Sequence, residues 1–177
     1  MSNNTINKKI ASLLLITPIL GSQLTGCATE PPKSAPPLTS QVAAYVEENR
    51  AMLREDKVLL INDAMQLTAS DPNYNPFWHE YYAYEAELKK INDQRQQLLR
   101  DYEFNYEKMD DKTADNLAKR ALTIRKQKLS LLEQSYEKVK KATSPSIAAR
   151  FLQVENDIGL VVDVGIAASI PLLKKTK

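Results

Sequence analysis

The chain has 177 residues, 24 Lys+Arg against 22 Asp+Glu, and a formal charge of +2. That is the length of one ordinary domain, and the charge balance excludes a strongly basic nucleic-acid binder or a polyanionic tail. Four Gly, one Cys and one His argue against a Gly-loop nucleotide enzyme, a disulfide framework and an all-Cys/His zinc site within one chain.

The first 26 residues read as an address. Lys8 and Lys9 precede an apolar run from Ile10 to Leu20, followed by small and polar residues. Basic, apolar and small-residue regions in that order make a secretory signal, and the run is short of the ~20 apolar residues that span a bilayer. Leu24-Thr25-Gly26-Cys27 resembles the lipobox of bacterial lipoproteins. The resemblance implies cleavage before Cys27, acylation of its thiol and its new amino group, and a membrane partner reached through that lipid. Ala28 rather than Asp after the Cys leans towards the periplasmic face of the outer membrane. Removing residues 1–26 removes two lysines and no acid, so 24 basic side chains become 22, equal to the 22 acidic ones. A neutral domain has no long-range field to steer a polyanion, so no nucleic-acid partner is expected.

A tether follows, from the lipidated Cys27 to residue 39. Residues 28–38 hold Pro31, Pro32, Pro36 and Pro37. Paired prolines favour polyproline II, which at ~3.1 Å per residue gives a spacer of roughly 30–35 Å.

Residues 40–173 read as four helices. The first runs from about Ser40 to Ala69, with Val46, Leu53, Leu60 and Leu67 every seven residues, and stops before Pro72. The second runs from Pro76 to Met109 with Asn75 as N-cap. Tyr81, Leu88, Arg95, Tyr102 and Met109 form one heptad row, and Tyr84, Ile91, Leu98 and Asn105 form the other. Glu85 and Lys89, four apart, read as a solvated pair. The third starts at Asp110 or Asp111 and ends at Thr143. One row is Leu117, Ala121, Ile124 and Leu131; the other is Leu122, Leu129, Leu132, Tyr136 and Val139. The fourth takes Ser144 as N-cap and Pro145 as its first residue, and reads as an apolar core helix to about Ile170. Residues 174–177 are a basic tail. The expected class is all-α: an elongated antiparallel helical bundle, or a bent helical hairpin, of about four helices after a signal peptide and Pro-rich tether.

Six of the twelve aromatic residues, Tyr74, Phe77, Trp78, Tyr81, Tyr82 and Tyr84, fall within eleven positions. They read either as a core cap or as a partner-binding patch, since such side chains dominate hot spots. Burial is expected for Phe77 and Tyr81. Partial exposure is expected for Trp78 and Tyr82, because neighbours on a helix stand ~100° apart. Trp78, Tyr82 and Tyr74 are the partner-binding candidates. His79-Glu80 lacks a second His, and Asp110, Asp111 and Asp115 suit a helix start. No catalytic residue, metal site or cofactor is expected, and no enzyme.

Four stretches carry a further resemblance: Phe77-Trp78-x-x-Tyr81; Glu87-Leu88-x-x-Ile91-Asn92-Asp93; Ser144-Pro145-x-x-Ala148-x-Arg150-Phe151-x-Gln153-x-Glu155-Asn156; and Ala167-x-x-Ile170-Pro171-Leu172. Over about residues 75–173 the chain resembles an uncharacterised group of proteobacterial periplasmic helical proteins, itself similar to the Spy/CpxP chaperones and stress sensors. The resemblance implies a non-enzymatic binding protein for unfolded or envelope proteins. The alternative is a structural, self-associating envelope lipoprotein without clients, a homo-oligomer.

Overall fold

The computed structural model describes residues 34–35 and 54–173. The residues read as a signal peptide, those read as a lipobox (Leu24, Thr25 and Gly26), Cys27 read as the lipid-attachment residue, most of the expected tether, residues 40–53 and the tail 174–177 lie outside them. The described residues form an all-α antiparallel bundle. Helix α1 covers residues 54–65, α2 Tyr74–Asn105, α3 Asp111–Ala142 and α4 Pro145–Ser169, with a 3-10 turn at Tyr106–Lys108 after α2. Helices α2 and α3, at 32 residues each, are about 48 Å long at ~1.5 Å per residue.

The helix ends follow local chemistry. Helix α1 stops at residue 65 rather than Ala69 because Gln66 takes a left-handed backbone, φ 56°. Arg150 Nε donates to the Ala64 carbonyl at 2.7 Å, satisfying one of the acceptors that a helix C-terminus leaves open. Helix α2 starts at Tyr74, two residues before Pro76. The cap is Asn73, not Asn75, and Asp71 fixes it by accepting from the Asn73 N–H at 2.7 Å. Pro76 still lies in the first turn, where a missing N–H costs nothing. Asp110 accepts from the Thr113 N–H at 2.7 Å, and Ser144 Oγ accepts from the Ile147 N–H with Pro145 in the first turn. Ser144 is the cap read from the sequence, and Asp110, one of the two starts read for α3, proves to be its cap.

The core is two apolar clusters. The larger joins Ile61 and Met65 of α1, Phe77, Trp78, Tyr81, Tyr84 and Leu88 of α2, Val139 of α3, and Ala148 and Phe151 of α4. The smaller joins Leu98, Leu117 and Ile124 between α2 and α3. The inward row of α3 therefore keeps Leu117, Ile124 and Val139, whereas Leu122 and Leu129 are exposed. They stand on the back of α3, and Ser135 is buried in the inward row instead. Helix α4 is a core helix only in its first half. Ala148, Phe151 and Glu155 are buried, but Leu160 and Val164 are exposed, because only one side of α4 meets α2 and α3. None of the described helices is long and apolar enough to cross a membrane.

Candidate functional site

Glu155 is 5% exposed on the apolar face of α4, one turn after Phe151. Its carboxylate accepts from Tyr84 Oη at 2.9 Å and from Tyr81 Oη at 3.4 Å. Lys57 Nζ, from α1, stands 3.0 Å from the same carboxylate and 2.6 Å from Glu85 Oε1. The ammonium also lies 5.9 and 5.7 Å from the centroids of the Tyr81 and Tyr84 rings, within cation–π range. One cation and two phenols thus saturate one buried acid, as a buried charge requires. The cluster ties α1, α2 and α4 together.

Burial alone would discharge Lys57, but the Glu155 and Glu85 carboxylates outweigh it and hold the lysine above its ordinary pKa. Burial, then the Glu155 charge, pushes the Tyr81 and Tyr84 phenols up as well. An amine kept as ammonium is no nucleophile, and the two phenols, kept protonated, donate to Glu155. The geometry makes a clamp. Glu85 turns to Lys57, while Lys89 pairs with Asp93 at 3.4 Å, so the expected Glu85–Lys89 pair is replaced.

Farther along α2, Arg95 pairs with Asp163 of α4 at 2.7 Å. Lys128 of α3 comes within 3.1 Å of where a Cβ on Gly159 would stand, so this glycine, a weak helix former, leaves room for the lysine. Burial lowers the Lys128 pKa, with Asp163 opposing. Asp101, 2% exposed, accepts from Gln97 Nε2 at 2.8 Å and from Arg120 Nη1 at 2.7 Å. Its third donor is the backbone N–H of Ala35, at 2.8 Å. The tether, read as a free spacer, therefore touches the bundle here.

Desolvation would raise the Asp101 pKa, but the Ala35, Arg120 and Gln97 bonds hold it below the ordinary 3.8. A lowered acid stabilises the fold above its unfolded value and loses that contribution as pH falls through its folded one. Melting of the wild-type chain should therefore weaken below about pH 4, and Asp101→Asn should flatten this arm of the profile. Asp101→Ala should cost about 1–3 kcal/mol near neutrality, the range for stranded buried hydrogen-bonding groups.

The aromatic end contains the sequence-selected trio. Trp78 is 8% exposed, Tyr82 55% and Tyr74 half-buried. Partial exposure of Trp78 is thus corrected: the surrounding core draws on all four helices, so the packed arc of α2 is wider than one partner helix would cover. Phe77 and Tyr81 are fully buried. The Tyr82 ring lies 5.5 Å and the Tyr74 ring 6.2 Å from the Trp78 ring. The Trp78 indole N–H is buried without a hydrogen-bond acceptor among the described residues.

The opposite end has an apolar groove of about 240 Å³. Its walls include Leu98 and Tyr102 of α2, Leu117 and Ala121 of α3, and Ile170 and Leu173 after α4. Among the described residues no group of three or more His, Cys, Asp and Glu could hold a metal ion. His79 is exposed, Asp110 caps α3, and Asp115 pairs with Lys119. The fold and site define a helical bundle clamped by buried ion pairs, with an aromatic rim at one end and an apolar groove at the other. No family model matches the chain, and no curated protein or solved structure proves similar to it.

Proposed function

We propose that this chain is a non-enzymatic binding protein of the bacterial envelope, anchored through Cys27 to the periplasmic face of the outer membrane. It takes exposed apolar segments of unfolded or envelope proteins on the rim of Tyr74, Trp78 and Tyr82, in the manner of the Spy/CpxP chaperones. The observation that carries this reading is the buried Trp78 N–H, without an acceptor among the described residues, next to the exposed Tyr82 ring 5.5 Å from the indole. An unpaired buried donor costs about 1–3 kcal/mol, and a backbone carbonyl of an incoming segment would recover it. The inert state of Lys57, Tyr81 and Tyr84 supports a role without catalysis.

The test is a photo-crosslinking amino acid at position 82 in intact cells, followed by mass spectrometry. Crosslinks to envelope proteins are expected. Tyr82→Ala should weaken suppression of aggregation of an unfolding model protein several-fold while changing stability by less than about 0.5 kcal/mol, as surface substitutions do. Equal suppression by parent and variant, with no crosslinks, would remove the binding reading.

Leu122 and Leu129, one heptad apart and exposed on α3, favour a second reading in which copies associate through this stripe. Light scattering then gives an oligomer that Leu129→Lys dissociates.

A further inference from the structure

We infer that the groove end of the bundle is a second membrane contact, a surface that rests on anionic phospholipid beside the acyl anchor. The contact lies towards the far end of α2 from the aromatic rim: Trp78 and Tyr102 are 24 residues apart on that helix, about 36 Å at ~1.5 Å per residue. Three independent features converge there.

The first is the route of the chain. Asp101 holds Ala35 and lies in sequence between Leu98 and Tyr102, both of which line the groove. Ala35 is the eighth residue after Cys27, and at ~3.1 Å per residue those eight steps reach only about 25 Å. An anchor at Cys27 therefore keeps the Asp101 end of the bundle within about 25 Å of the bilayer, nearer than it need keep the aromatic rim. This step rests on the anchored reading of Cys27; the next two do not.

The second is a presented apolar edge. Tyr102 Oη donates to the Pro171 carbonyl at 2.7 Å and Tyr106 Oη to the Leu172 carbonyl at 3.1 Å. These bonds fix the chain just past α4 and leave the Leu172 side chain 91% exposed, with Leu173 half-exposed at the groove wall. The pinned backbone thus holds Leu172 outward directly beside the apolar groove that Leu173 helps to line. A bilayer interface accepts such side chains, and the groove beside them accepts apolar groups.

The third is charge. Lys174, Lys175 and Lys177 follow directly in sequence, and each lysine near an anionic leaflet strengthens attachment about fivefold. Leucines beside lysines suit the acyl–headgroup boundary, and stable attachment takes two signals rather than one. The aromatic rim would then face away from the lipid.

The test uses the unacylated chain from residue 27 onward with Cys27→Ser, which keeps every described residue. It is floated with vesicles of phosphatidylethanolamine containing about a quarter phosphatidylglycerol. The parent should float with these vesicles, much less with pure phosphatidylcholine, and less as salt rises. Leu172→Ser with Leu173→Ser should lower the partition at least tenfold with unchanged circular dichroism and melting. Tyr82→Ser, at the other end, should leave it unchanged. A parent that ignores anionic vesicles, or a double variant that binds as the parent does, overturns the inference, as does a groove that takes an apolar peptide but no lipid. None of these outcomes touches the acyl anchor, which is read separately from the mass of the native N-terminus.

Discussion

Lys57→Met should lower stability by about 3–5 kcal/mol, because it strands the Glu155 carboxylate in the core. Removing one partner of a buried ion pair costs this much even where the pair itself contributes little net stability. For a domain of this size the melting temperature should fall on the order of 10 °C or more. Lys57→Met with Glu155→Gln should recover most of the loss: the amide still accepts from Tyr81 and Tyr84 and leaves no bare charge. The difference between double and single variants measures the coupling directly. A Lys57→Met protein that melts with the wild type would show that α1 is not clamped.

The same cluster sets the alkaline limit. Lys57, Tyr81 and Tyr84 all have folded pKa values above their ordinary 10.5, 10.0 and 10.0. The folded state therefore binds more protons than the unfolded state above about pH 10. Their contribution is complete below that pH and is lost as pH rises towards the folded values. Melting should fall steeply above pH 10, and the Tyr81 and Tyr84 phenolates should appear only with unfolding, read as tyrosinate absorbance against circular dichroism.

Trp78→Ala should cost about 3–5 kcal/mol, the range for truncating a large buried aromatic. The indole packs edge-on against Phe77 and Tyr81, with ring centroids 5.4 and 5.3 Å away, and such pairs add to area burial. Emission should be blue-shifted and poorly quenched by iodide. Trp78→Phe should cost less, about 1–2 kcal/mol, since it keeps the ring in the core and removes the unpaired N–H. It should also weaken client capture, if that N–H is what a bound segment meets. Trp78→Ala melting within about 0.5 kcal/mol of wild type would overturn the packing described above.

The all-α class, the order of the helices and the Ser144 cap were legible because they depend on local rules. Ser144 precedes Pro145 as expected, α3 starts where the Asp110-Asp111 pair put it, and the heptad rows of α2 place Tyr81, Tyr84, Leu88 and Leu98 inward. The ends around Gln66 and Tyr74 were not legible, since a left-handed Gln and an Asp71-fixed Asn73 depend on the turn as a whole. The exposure of Leu160 and Val164 depends on how many neighbours α4 has, which its composition does not state. The clamp was missed although its signal was present. Ala148, Phe151, Glu155 and Ile158 share one helical face, so Glu155 is an acid in an apolar stripe; only its partner, Lys57 from nearly a hundred residues earlier, needed the fold to be found. Asp101 gave a weaker signal, standing beside the inward row rather than in it, and its bond to Ala35 is a long-range contact that no periodicity announces.

The most direct measurement of the central claim, that the chain is a lipid-anchored envelope protein, is the intact mass of the protein extracted from the cells that make it. An anchored lipoprotein predicts a chain that begins at Cys27, with the first 26 residues gone and acyl chains on both the thiol and the amino group. It also predicts that Cys27→Ser leaves the precursor uncut at this site and without lipid. A native chain whose Cys27 carries a free thiol, or a Cys27→Ser protein that is processed normally and still sediments with the outer membrane, would contradict the account.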